Sequence, residues 1–296
     1  MNGLLVVDKP GGMTSHDVVN RLRRITGEKS IGHLGTLDPM ATGVLPLLLG
    51  KYTRLAQFFS TAEKSYSGTI RFGFATDTYD AEGQPASPDL WSETCPTVTL
   101  ETVRTAAARF LGESEQVPPP FSAKKIAGKP AYKLAREGKP VELKPVKVLV
   151  SCFEIVALED AEASFNMSIS AGGYVRSVAH EIGHALNCGA HLSSLRRTQA
   201  GVFTLAEAHT LEQFEAAKGT AEALESMCVH PRSLLPGFPS VTGDPQALGR
   251  LRNGAQANLP EFSSAAMVKV FDGQRDLVGI AKRVAGTLFQ PLVVMG

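Results

Sequence analysis

Apolar runs and apolar alternation divide this chain into predicted elements. Leu4 to Val7 is a short unbroken run that reads as a strand entering the tight turn Asp8 to Gly12. Val44 to Leu49 is a second run, placed as a buried segment. Lys64 to Thr76 alternates, so Tyr66, Ile70, Phe72 and Phe74 share one face of a strand. Val146 to Leu158 and Ala163 to Ser170 read as further strands, and Leu192 to Phe203 as extended structure. Helical spacing appears first at Val18, Val19, Leu22 and Ile25, after the capping residues Thr14 and Ser15. It recurs over Gly50 to Phe59, Leu100 to Leu111, Tyr132 to Arg136 and Tyr174 to Leu186. Residues 84–96 read as a surface loop and 205–235 as helical, broken after His230. Residues 236–245 read as a linker, and Leu248 to Gly296 as a small, separate β-module.

Composition narrows the class. The chain has 296 residues, 43% hydrophobic and 20% charged, as expected of a soluble globular protein with one large domain and a smaller one. No apolar run approaches the ~20 residues of a membrane span. The opening MNGLLVVDKPGG lacks the basic start and long apolar core of a signal peptide. Cys95, Cys152, Cys188 and Cys228 are widely spaced, which fits free thiols. The cytoplasm is the expected location. Net charge is only +1, yet residues 121–150 carry eight basic side chains against Glu137 and Glu142. That segment is either a phosphate-contacting surface or a solvated charged loop.

Candidate chemistry centres on Gly32 to Pro46, GHLGTLDPMATGVLP. Asp38 precedes Pro39, which pushes it toward extended geometry. Gly32, Gly35 and Gly43 permit conformations and close approaches that a Cβ would block. The loop therefore presents one carboxylate, as a turn residue or as a reacting group. Three further features stand out. HEIGH, His180 to His184, has the HExxH spacing that sets two imidazoles on one helix face for zinc. The extended form would want Gly at position 187 and His at 190; these are Asn187 and Ala190, so a helix with partly exposed polar groups is the plainer reading. Asp77 and Asp80 in TDTYD are either a pair of working acids or turn organisers, and are read as the latter. Arg176 sits at a helix start, away from the end that the dipole favours for a cation, so it calls for a specific anionic partner such as Asp38. Tyr66 and Tyr174 suit core packing or stacking on a base.

The ordered blocks LLVVDKPGGMTSHDVV, GHLGTLDPMATGVLPLLLG, KSYSGTIRFGFATDTYDAEG, PPPFSAKKIAGKPAYKLAREG, GGYVRSVAHEIG and GAHLSSLRRTQAGVF together resemble the TruB family of tRNA pseudouridine-55 synthases over residues 3–235. The tail from about 240 is similar, more loosely, to a PUA-like barrel. The resemblance implies an α+β fold: a mixed, mostly antiparallel sheet flanked by helices, residues 1–238, with a thumb-like insertion at about 118–147. Residues 239–296 would form the RNA-binding module. It implies an isomerase of one tRNA T-loop uridine that flips the base out, acts as a monomer and needs no cofactor or metal. Asp38 would be the essential acid, as nucleophile or base. Tyr66 would stack on the target base, Arg176 pair with Asp38, Tyr174 and Leu195 line the pocket, and His33 fill the vacated space. Lys9, Lys64, Lys124, Lys125, Lys129, Tyr132 and Arg136 are further expected RNA contacts. The alternatives are an RNA-binding or tRNA-folding module without catalysis, opposed by the presence of Asp38, Tyr66 and Arg176, and a zinc hydrolase built on HEIGH.

Overall fold

In the computed structural model, residues 1–86, 88, 89, 91, 98–122, 124–126, 128–137 and 143–295 are described. The strands are β1 (Gly3–Lys9), β2 (Ile31–His33), β3 (Thr42–Leu49), β4 (Lys64–Phe72), β5 (Gly112–Gln116), β6 (Lys125–Ile126), β7 (Lys129–Pro130) and β8 (Val146–Glu159). They continue with β9 (Glu162–Ile169), β10 (Ala190–Ala200), β11 (Phe203–Thr204), β12 (Ser240–Thr242), β13 (Ala257–Asn258), β14 (Met267–Asp272), β15 (Asp276–Ala285) and β16 (Leu288–Val294). The main sheet runs β1-β3-β10-β4-β9-β8-β5, with β2 on β3 and β11 on β10. All its pairings are antiparallel except β10 with β3. The second sheet, β12-β14-β15-β16-β13, curls into a half-barrel.

The unbroken runs have a physical reason. Leu5 and Val7 of β1, with Leu45, Leu47 and Leu49 of β3, face a core closed by the helices Ser15–Thr26 and Val175–Ala185. Leu4, Val6, Val44 and Leu48 point the other way into a second core. Strands covered on both faces lose alternation and become continuously apolar. β4 keeps its alternation, and ends at Phe72, where Gly73 turns away at φ +112°.

Several expected elements differ. Gly50–Phe58 is a 3₁₀ helix. Residues 205–235 form four short pieces, Leu205–Glu207, Leu211–Ala216, Ala221–Ser226 and Pro231–Ser233; Thr204, Thr210 and His230 cap three of them with side-chain acceptors, and Thr220 precedes Ala221–Ser226 without a cap bond. The expected linker contains β12, paired parallel to β14, with Val241 buried. Behind it, Asp244 caps the helix Pro245–Arg252 with proline at its start, a helix signal that the strand-rich tail masked. The tail is also not a bead on a string. Phe271, Leu277, Ile280, Val293 and Met295 belong to the same core as Leu4, Val6, Tyr52 and Leu55. The loop expected at 84–96 lies largely outside the described residues.

Candidate active site

The loop between β2 and β3 is pinned from beneath. Ser15 Oγ donates to the Leu37 carbonyl at 3.1 Å and accepts from the Leu37 N–H at 2.8 Å. Lys9 is fully enclosed, and its ammonium donates to the carbonyls of Pro10, Met13 and Pro39 at 2.9, 2.6 and 3.1 Å. Burial draws the Lys9 pKa down to about 8, while those carbonyls hold the proton. The expectation that Lys9 touches RNA is therefore corrected: it is a strut that fixes the far side of Asp38. Arg197 is another, donating to Val44, Gly35 and Thr36 carbonyls. Gly43, at φ +99°, lies so close that a Cβ would stand 2.2 Å from the Arg197 carbonyl oxygen, so only glycine fits.

Above this base sits Asp38. Arg176 Nη2 donates to its Oδ1 at 3.0 Å, and Nε lies 2.9 Å from Oδ2, within ion-pair range but off line for a hydrogen bond. The Arg176 side chain is 6% exposed, whereas that of Asp38 is 33% exposed, so one face of the carboxylate opens to solvent. Arg176 also donates to the Thr78 and Phe121 carbonyls, both at 3.0 Å, and its Nη1 lies 3.5 Å from Asp80 Oδ2. One guanidinium thus ties together the Asp38 loop, the Thr78–Asp80 turn and the proline-rich segment before β6. Burial raises the Asp38 pKa; Arg176 opposes the rise and Asp80 adds to it. Two carboxylates sharing one cation leave the local charge negative, which supports that direction.

Of the remaining expected residues, Tyr66 and Tyr174 lie close enough to Asp38 to feel its charge. Tyr66, opposite Arg197 in the β4–β10 register, has its hydroxyl against the Arg197 guanidinium; burial raises its pKa. Tyr174 caps the helix Val175–Ala185, and the Gln116 side chain holds its backbone at both N–H and C=O, 2.7 and 3.0 Å. Burial also raises the Tyr174 pKa. Leu195 and Met40 line an open groove of about 620 Å³ with Ser67, Gly68 and Arg196. His33 is half-buried, with Nδ1 unpartnered and a pKa lowered by burial and by Arg197. Lys64 is half-buried and donates to the Ala62 carbonyl; Lys124 is half-buried and Lys129 exposed. The side chains of Lys125, Tyr132 and Arg136 lie outside the described residues.

Sequence reasoning missed Asp80. It organises its turn as expected, accepting from Thr78 Oγ1 at 2.6 Å and the Glu82 N–H at 3.1 Å. It is also 3% exposed and turned toward Arg176. Asp77 is only a turn residue, accepting from the Gln84 N–H. Arg197 was missed too, although its signal was present: it shares parity with Leu195 in an extended segment. In HEIGH, Glu181 and His184 are exposed, and the two imidazoles meet edge to face at 5.4 Å. Among the described residues no group of three or more His, Cys, Asp or Glu is placed to hold a metal ion.

The model of the TruB family pseudouridylate synthase N-terminal domain matches residues 23–175, and that of the tRNA pseudouridylate synthase B C-terminal domain matches 176–235. The tRNA pseudouridine synthase B of Solibacter usitatus is 46% identical over 298 residues, spanning 100% of both chains. The chain belongs to the TruB family of pseudouridylate synthases. The TruB-family enzyme of Aquifex aeolicus, also a tRNA pseudouridine synthase B, is 38% identical over 97% of this chain and 98% of its own. The TruB fold is likewise seen in a solved Cbf5-Nop10-Gar1 complex, with TM-score 0.71 at 25% identity, covering 99% of this chain and 85% of that one. An H/ACA RNP bound to a substrate RNA containing 2'-deoxyuridine has the same fold, with TM-score 0.70 at 24% identity over 99% of this chain and 85% of that one. Asp38, Arg176 and Asp80 all fall within or at the edge of the two TruB family matches.

Proposed function

We propose that this chain is a tRNA pseudouridine synthase that isomerises the uridine at position 55 of the T-loop, with no cofactor or metal. The observation that carries the reading is the Asp38 carboxylate, aligned by Arg176 at 2.9–3.0 Å with one face open to solvent. Isomerisation breaks the N1–C1′ bond, turns the freed uracil and closes a C5–C1′ bond. C5 loses a proton and N1 gains one, so the atoms balance with no co-reactant. A carboxylate serves this as a nucleophile that divides the step, or as a base. Both routes need it ionised. The target base must first leave its stack, at a cost of about a few kcal/mol that pocket contacts offset.

In this reading Tyr66 stacks on the flipped uracil, Tyr174 and Leu195 wall the pocket, and His33 occupies the vacated space. Residues 118–147 close over the T-stem loop as a thumb, with Lys124, Lys125, Lys129, Tyr132 and Arg136 toward the RNA and Lys64 nearby. The Arg176–Phe121 bond supports this, since it ties the root of that segment to the acid. Residues 1–238 are the catalytic domain and 239–296 a further RNA-binding module. The chain works as a monomer, in the cytoplasm where its substrate is.

The test uses an unmodified tRNA transcript, with pseudouridine mapped by carbodiimide treatment and primer extension. The expected product lies at one T-loop uridine, with equal yield in EDTA. Asp38→Asn is expected to abolish product and keep tRNA affinity within a few-fold. Product from Asp38→Asn at the wild-type rate would remove Asp38 from the chemistry, and wild-type protein that binds tRNA without product would leave a binding module.

A further inference from the structure

The HEIGH helix does carry something. Tyr79 stands between the two residues that reach Arg176 Nη1, the Thr78 carbonyl at 3.0 Å and the Asp80 carboxylate at 3.5 Å. Its φ is +66°, a left-handed conformation that a bulky aromatic adopts only when its surroundings impose it. Part of the imposition comes from main chain: Tyr79 N–H donates to the Thr76 carbonyl, and its own carbonyl accepts from Leu192 N–H at 3.0 Å. The rest comes from its ring. The His180 imidazole stacks on it with centroids 3.8 Å apart and planes 9° from parallel. His180 is four residues beyond Arg176 on the same helix, so the two side chains share a face. The helix that aims Arg176 therefore also grips the turn that Arg176 must meet.

The stack is not ordinary core filling. His180 is only half-buried, and its Nδ1 is enclosed without a hydrogen-bond partner, a penalty that an apolar residue would avoid. The titratable neighbours of the pair are His184, edge-on to His180, and Glu181, whose charge faces Tyr79.

Resting on the reading of Asp38 as the reacting acid, we infer that His180 and Tyr79 form a positioning pair: their stack holds the left-handed turn so that Thr78 and Asp80 share the Arg176 guanidinium with Asp38. Neither residue touches substrate. Asp80 draws on the same cation as Asp38, so its distance from Arg176 sets how much positive charge Asp38 receives. Freeing the turn withdraws Asp80, returns charge to Asp38, and moves the acidic limb of the rate profile to lower pH. It also loosens Arg176, which slows turnover.

The experiment is single-turnover and steady-state kinetics on unmodified tRNA across the acidic limb, for wild type, His180→Ala, His180→Phe and Tyr79→Gly. His180→Ala is expected to lose about tenfold in kcat with KM within about twofold, and to move the limb to lower pH. His180→Phe keeps an aromatic face and restores both. Tyr79→Gly adopts the left-handed φ without strain and so still folds, but it lacks the ring and should reproduce His180→Ala. Wild-type kinetics in Tyr79→Gly, a loss that phenylalanine does not restore, or a lower kcat with an unmoved limb would each overturn the pair. Inactive wild-type protein would instead overturn the reading of the site itself, and the two failures are separate.

Discussion

The cleft around Arg176 and the junction with the C-terminal sheet both bury cations, with opposite results. At the junction, Lys269 is 2% exposed and its ammonium donates to the Arg232 and Leu234 carbonyls, both at 2.6 Å. Arg232 reaches back to the Gly273 and Gln274 carbonyls and lies over the Phe271 ring at 4.4 Å. Around them is a closed apolar core shared by both sheets. In the cleft the same devices stop short of closure. Lys9 and Arg197 are capped by carbonyls, but above them two carboxylates divide one guanidinium, and one carboxylate stays open to solvent. Complete pairing makes a joint. Pairing left unfinished on one side makes a reactive group.

The largest effect that tests this contrast is Arg176→Met. It leaves Asp38 and Asp80 facing each other without their cation and frees the Thr78 and Phe121 carbonyls. Turnover should fall by about 10²–10³-fold, on the scale of losing one aligned electrostatic group. Arg176→Lys should recover little of it, because one ammonium lacks the planar fork that meets four acceptors at once. Near wild-type rates in the lysine variant would show that charge alone, and not the fork, organises the cleft.

Phe271→Ala probes the other side. The ring is fully buried in the shared core, so its loss should lower stability by about 3–5 kcal/mol. Because that core runs beneath β1 and β3, the chain should still melt in a single transition. Pseudouridine formation, assayed well below the melting temperature, should keep its kcat. Two separated melting transitions would mean that the tail folds on its own, and the contrast with the cleft would then be one of domains instead of pairing.

How much of this was legible follows from the range of each signal. β1 and β3 could be read because burial on both faces writes an unbroken apolar run into adjacent residues. The frame around Asp38 could be read because glycine and proline act locally. Arg176 announced an anionic partner because a cation at a helix start lacks a local reason. Lys9 misled, since a lysine closing an apolar strand looks solvent-facing until Pro10, Met13 and Pro39 fold back over it. Asp80 misled for a similar reason: its turn bonds are local and visible, while its burial against Arg176 spans almost a hundred residues of chain. The shared core was hidden because an apolar face does not name the element that covers it. Val241 looks the same in a linker as in a strand.

The smallest effect is the most discriminating. The fold raises the Asp38 pKa above its ordinary 3.8, so as pH rises the unfolded chain gives up that proton first. Between 3.8 and the folded value the native state binds more protons, and stability lost in that window stays lost at neutral pH. Ionised Asp38 is therefore a modest strain on the fold, which Asp38→Asn relieves. The amide variant should melt slightly above wild type at pH 7.5, and the gap should close as pH falls through the folded pKa toward 3.8. The same titration should appear in wild-type kcat/KM as an acidic limb above the ordinary aspartate value. At the junction, burial and the neighbouring Arg232 lower the Lys269 pKa, so the strain there falls on a cation and not on a carboxylate. An amide variant that melts below wild type at pH 7.5 and matches it in acid would reverse the sign: Arg176 would then outweigh burial and Asp80, and the cleft would be as fully paired as the joint.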